Sequence, residues 1–179
     1  MKYLKVVHAV SIAVMISLVN SSSAEAGWFH AATKAAASSI MNKGINPFKF
    51  KSSARFGKGF YAAKTPKTAI AEKGGSKAIL QLKGNGFLKK NTLDFRNPSA
   101  SSLHKQLGTG YDLRGAAKNK VIGPKAAHQL GNVAGNQGKA IQYRSVRNSG
   151  SNIFIPKKVI AERPQILRPE KIVSAGKLK

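Results

Sequence analysis

The sequence predicts a mixed α+β domain, and three observations carry that reading. Short runs containing β-branched and aromatic residues recur along the chain, bounded by Gly, Asn, Ser and Pro, as strands are. Between them lie segments that open on a capping threonine and close on glycine, as helices do. No internal repeat or long low-complexity linker is present, and residues 27–179 amount to one domain by length. Short strands interspersed with short helices are the pattern of an α+β layer fold.

The elements follow in order. Trp28-Phe29-His30, inside residues 27–32, makes a first strand. Thr33 caps a helix over residues 34–41, Gly44 terminates it and Asn46-Pro47 prevents its return. Gly59-Phe60-Tyr61-Ala62-Ala63 is a strand entered from a Gly-rich turn. Thr65-Pro66 then starts a helix with Thr as N-cap and Pro in the first turn, where a missing N–H costs nothing. That helix passes through Ala69, Ile70 and Glu72 and stops at Gly74-Gly75. Residues 78–82 and 91–95 are further strands, 98–107 a helix and 124–130 a short one. Residues 140–146 and 152–155 are the late strands, with Ser149-Gly150 in the turn between them. Residues 157–160 and the tail after Pro169 are basic and predicted to be peripheral.

The N-terminus has the layout of a secretory signal: Lys2 and Lys5, an apolar stretch over residues 6–19, then Ala24-Glu25-Ala26 as a small-residue cleavage site. His8 and Ser11 interrupt the apolar stretch, which is shorter than the ~20 residues of a membrane-spanning helix. The expected organisation is a signal peptide over 1–26, a functional domain over 27–179 with a basic C-terminal tail, and a secreted product. Cysteine is absent, which removes disulfides, thiolate metal sites and Cys nucleophiles. With 31 Lys+Arg against 6 Asp+Glu, the net charge of +25 attracts polyanions: nucleic acid, acidic membrane surfaces, acidic proteins and phosphorylated small molecules.

Charge alone names no chemistry. The acids Glu72, Asp94, Asp112, Glu162 and Glu170 are too scattered to form a metal cluster or a hydrolytic pair from sequence. Gly57-Lys58-Gly59 and Gly84-Asn85-Gly86 complete no phosphate-loop fingerprint and read as turns. No nucleic-acid-binding motif accompanies the charge, and aromatics are sparse for stacking. Three alternatives stay open at this level: an enzyme built on Tyr61, Glu72 and Ser145, a non-enzymatic basic protein binding nucleic acid or acidic membrane surfaces, and a secreted ribonuclease using His30, His104 or His128 as acid and base.

The segment Arg55-Phe-Gly-Lys-Gly-Phe-Tyr61-Ala-Ala, the following Thr-Ala-Ile-Ala-Glu72, and Tyr143-Arg-Ser145-Val-Arg147-Asn-Ser-Gly-Ser-Asn152 together resemble the signature of the RES domain. That family is named for its Arg, Glu and Ser and belongs with the ADP-ribosyltransferase-like toxins. Trp28-Phe-His30-Ala-Ala-Thr33 is similar to the opening of the poly-ADP-ribose polymerase branch. The resemblance runs from about Phe29 to Pro156. It implies a split, mostly antiparallel β core holding NAD in a cleft, with cleavage of the bond between nicotinamide and ribose and no metal. It further implies that His30 or Arg55 holds the anionic or ribose portion, Tyr61 stacks on nicotinamide, Glu72 stabilises the oxocarbenium-like ribose and Ser145 hydrogen-bonds the carboxamide or ribose. His30 stands where RES members carry Arg. Asn152 falls where the polymerase-like branch carries Glu, which favours NAD breakdown over transfer to a protein target. An acidic immunity protein is the partner such a basic toxin implies.

Overall fold

Thr33 and Thr65 act as their positions predict: each side-chain oxygen accepts a backbone N–H in the first turn of the helix that follows, at 3.2 Å from Ala36 N and 3.2 Å from Thr68 N. The structure is a computed structural model that describes residues 27–75, 78–108 and 121–174; the predicted signal segment and Asp112 lie outside them. The strands are β1 (Gly27–Ala32), β2 (Gly59–Ala63), β3 (Ala78–Gly84), β4 (Thr92–Phe95), β5 (Ala140–Arg144), β6 (Ser151–Pro156) and β7 (Leu167–Ser174). The helices are α1 (Lys34–Lys43), α2 (Pro66–Lys73), α3 (Gly86–Lys90), α4 (Ala100–Leu107), α5 (Pro124–Asn136) and α6 (Lys157–Glu162), with a 3₁₀ turn at Pro47–Lys49.

The strands form one seven-stranded sheet in the order β4-β5-β6-β2-β1-β3-β7, antiparallel at every pairing except β4 with β5. The predicted α+β class, a mostly antiparallel sheet with flanking helices, is the one observed. β1 and β2 touch only at Phe29 opposite Ala63, whereas β1 stays registered with β3 from Gly27–Lys83 to Ala32–Ala78. The sheet is therefore split along the β1–β2 seam.

Apolar layers cover both faces. On one, Trp28, Phe60, Leu80, Leu82, Ile153 and Ile155 pack with Leu88 of α3 and with Val159 and Ile160 of α6. On the other, Ile141, Tyr143 and Phe154 pack with Leu103 of α4 and with Ala127, Leu130 and Ala134 of α5. Ala31, Ala63 and Ile79 meet Ala69 of α2 on that same side. Each large apolar side chain fully buried this way contributes about 1.5–3 kcal/mol.

Several elements differ from the sequence reading. Residues 157–160 are not peripheral: Val159 and Ile160 are fully buried in α6, and only the lysines beside them face outward. Two adjacent apolar residues in a basic stretch show no periodicity from which to infer a buried helix. The tail past Pro169 forms much of β7, an edge strand whose proline and charged residues suit an unpaired edge. Gly84-Asn85-Gly86 is a helix start rather than a plain turn, because the Asn85 side chain caps α3. α5 runs to Asn136, beyond the predicted 130.

Candidate active site

The split between β1 and β2 leaves the Tyr61 carbonyl without a strand partner from β1. The imidazole of His30 fills that gap, its Nδ1 donating to Tyr61 O at 2.7 Å. Burial pulls the His30 pKa down, the hydrogen bond opposes this, and Lys73 lowers it further. His30 is accordingly a neutral strap across the seam, with Nδ1–H fixed by its acceptor. The resemblance implied His30 or Arg55 as the contact to the anionic or ribose portion of a ligand; both line the cleft, and Nδ1 of His30 is committed to the Tyr61 carbonyl.

The seam opens onto a cleft of about 460 Å³, inside the usual range of roughly 300–1,000 Å³ for small-molecule sites. His30, Arg55, Tyr61, Glu72 and Asn152 all line it, together with Phe29, Lys73, Tyr143, Val146 and Arg147. Strand register explains much of this convergence. Directly opposed residues share a face, so Tyr143, Asn152, Ala63 and Phe29 form a row across four strands. Tyr61, two residues before Ala63, joins them by the same alternation.

Glu72 enters from the last turn of α2. Its Oε1 accepts from Ser145 Oγ at 2.5 Å and from Asn152 Nδ2 at 2.7 Å. Ser145 is itself oriented, because its Oγ accepts from Arg147 N and Asn148 N, both at 3.1 Å. The loop carrying it packs tightly on α2: a Cβ on Gly150 would fall 2.0 Å from Thr68 Oγ1, so only glycine fits there. The carboxylate is held through one oxygen, and Oε2 carries no hydrogen bond among the described residues. Such an arrangement fixes a negative charge at the wall of a cleft before any ligand arrives.

Arg55 is presented by a braced turn. Phe56 is buried between the rings of Tyr143 and Phe154, at centroid distances of 4.6 and 5.5 Å. The Tyr61 hydroxyl accepts from Phe56 N at 2.8 Å and donates to Gly57 O at 3.2 Å. Helix α5 reaches the same turn because Gly131 lacks a side chain; a Cβ there would lie 1.9 Å from Phe56 O. Arg55 Nη2 donates to Ile122 O, while Nη1 is buried without a partner among the described residues. Burial lowers the Arg55 pKa, opposed by Tyr143, Glu72 and Tyr61 around it. Burial also raises the pKa of Tyr61 and, with Glu72 and Tyr61 nearby, that of Tyr143, so both phenols stay protonated.

Tyr61 therefore has a task that sequence reasoning missed. Its hydroxyl clamps the turn bearing Arg55, and only its ring is left to face a ligand. Tyr143 was missed as a wall of the cleft, although its place two residues before Ser145 on a strand puts it on the same side. Lys73 and Arg147 add exposed cations at the rim. His104 and His128 lie elsewhere, exposed on α4 and α5 and outside the cleft, so the three histidines do not assemble an acid–base pair. Among the described residues no group of three or more His, Asp and Glu is placed to hold a metal ion.

No protein-family model matches the chain, and no curated protein does. Among solved structures, the fold is similar to that of a chain in the crystal structure of the M. tuberculosis MbcT–MbcA toxin–antitoxin complex. The match has a TM-score of 0.53 at 9% identity and covers 83% of this chain and 82% of that one. At that identity the likeness is one of fold.

Proposed function

We propose that this protein is a toxin that binds NAD in the β1–β2 cleft and breaks its nicotinamide–ribose bond. The observation that carries the reading is the Glu72 carboxylate, fixed by Ser145 and Asn152 on Oε1 and flanked in the cleft by Tyr61 and Arg55. The resemblance to RES domains and a fold shared with a chain from a toxin–antitoxin complex support it.

On this reading Tyr61 offers its ring to nicotinamide, and Arg55, with Lys73 and Arg147 at the rim, meets the pyrophosphate. As the C–N bond breaks, its electron pair leaves with nicotinamide and the ribose carbon becomes cationic. Glu72 stabilises that charge from a position already paid for in folding. An acceptor then adds to the ribose carbon; with Asn152 in place of a second acid, the reading favours NAD breakdown over modification of a protein target. Secretion belongs to the proposal through the signal sequence, whose cleavage after Ala26 would leave Gly27 as the first residue of the mature domain. A neutralising protein partner belongs to it as well.

Incubating the protein with NAD and following free nicotinamide tests the reading. Glu72→Gln is expected to cut turnover roughly 10²–10³-fold, as loss of a preorganised charge-stabilising group does. Wild-type protein that releases no nicotinamide, even with cell lysate supplying acceptors, would end it. Edman sequencing of the exported product is expected to begin at Gly27.

A further inference from the structure

A second concavity, of about 590 Å³, lies between the segment leading into β2, helix α5 and the β6–α6 junction. Its floor is backbone: Gly57, Gly131 and Gly135 are buried and put no side chain above it. One wall is a polar row spaced four residues apart along α5, His128, Asn132 and Asn136, all exposed and on one helix face. The opposite wall holds Lys58, Lys157 and Lys158, and no carboxylate lines the groove. None of these lysines is ion-paired among the described residues.

Two features mark this surface as more than one part of a generally basic exterior. Lys157 and Lys158 occupy the first turn of α6, where cations work against the helix dipole. Beside them Phe48, on the 3₁₀ turn, is 84% exposed and rests against Lys157, with Nζ 4.9 Å from its ring centroid. An aromatic ring held in water next to unpaired cations is the makeup of an interface anchor with a charged rim.

We propose that this groove docks an acidic segment of a protein partner, with an apolar side chain of that segment closing on Phe48. Side-chain amides at Asn132 and Asn136 offer donors and acceptors to a peptide backbone lying over the glycine floor. Carboxylates of the segment meet Lys58, Lys157 and Lys158. A polynucleotide would want successive aromatic platforms, whereas the one aromatic lining the groove, Phe56, is buried and Phe48 stands singly beside it. The surface lies outside the cleft, so the inference stands independently of NAD.

A fluorescein-labelled peptide of alternating Glu-Glu-Leu units, titrated against the protein and followed by anisotropy, tests it. Combined Lys58→Glu, Lys157→Glu and Lys158→Glu changes are expected to weaken binding at least about tenfold. A triple reversal at Lys34, Lys89 and Lys90, which changes net charge equally on exposed sites outside the groove, is expected to have a much smaller effect. Phe48→Ala is expected to weaken the Leu-containing peptide and leave an all-Glu peptide unchanged. The proposal is overturned if the peptide does not bind, if the two triple variants lose affinity equally, or if oligouridylate of matched charge binds the groove more tightly than the peptide.

Discussion

On one side of the turn at residues 55–58, Arg55 enters a cleft whose carboxylate and hydroxyls are tied to named partners. On the other, Lys58 borders a groove lined by lysines and by no carboxylate, with Lys58 and Lys158 exposed and Lys157 half-buried. Burial makes the difference. In the cleft a buried polar group without a partner costs stability, so most of them are tied to specific neighbours. In the groove charges remain solvated, contribute little to folding and keep their field for an incoming partner. A site that breaks a bond calls for the first condition; a surface that captures a partner works well with the second.

The bluntest way to break the comparison is to damage the turn that serves both sides. Gly131→Val would drive a side chain into the Phe56 carbonyl, and a loss of about 3 kcal/mol or more is expected in denaturant unfolding. NAD turnover and peptide binding should fall together. Tyr61→Phe separates them: it leaves Phe56 N–H without its acceptor at a cost of about 1–3 kcal/mol and loosens Arg55. Steady-state kinetics should show KM for NAD rising more than kcat falls, with peptide affinity nearly unchanged.

A smaller effect sharpens the cleft alone. Because burial depresses the His30 pKa, the unfolded chain takes up that proton first as pH falls. The stability contributed by neutral His30 is intact above about 6.5, its ordinary value, and declines as pH drops below it. Thermal melts from pH 7.5 to about 5 should show that decline, and His30→Gln should flatten it. The smallest expected change is in stability on reversing Lys58, which is exposed: within about 0.5 kcal/mol. Raising salt should likewise weaken peptide capture far more than NAD turnover.

Much of the cleft was legible because its signals are local or were carried by family resemblance. The Thr65-Pro66 cap announced α2 and set Glu72 in its last turn; the glycines before Phe60 announced a strand with Tyr61 on it. The clamp by the Tyr61 hydroxyl was not legible, since it depends on how the chain curls back on residues 56 and 57. The hydrogen bond from His30 to the Tyr61 carbonyl was not legible either, because the sequence around His30 cannot show that β1 and β2 diverge and leave a carbonyl needing a donor. The buried helix α6 was hidden for a related reason: two apolar residues among lysines have no period.

Thus the helices, several strands, the excess of positive charge and the absence of thiol chemistry follow from residue types and their nearest neighbours, where capping, turn preference and alternation act over a few positions. The meeting of Glu72 with Ser145 and Asn152, separated by 73 and 80 residues, required the sheet order and the packing of α2 on the β5–β6 loop. So did the gathering of Lys58 with Lys157 and Lys158 along one wall of the groove. Local preferences choose conformations along a chain, but the burial of apolar faces selects which distant segments share a surface, and both the cleft and the groove are products of that choice.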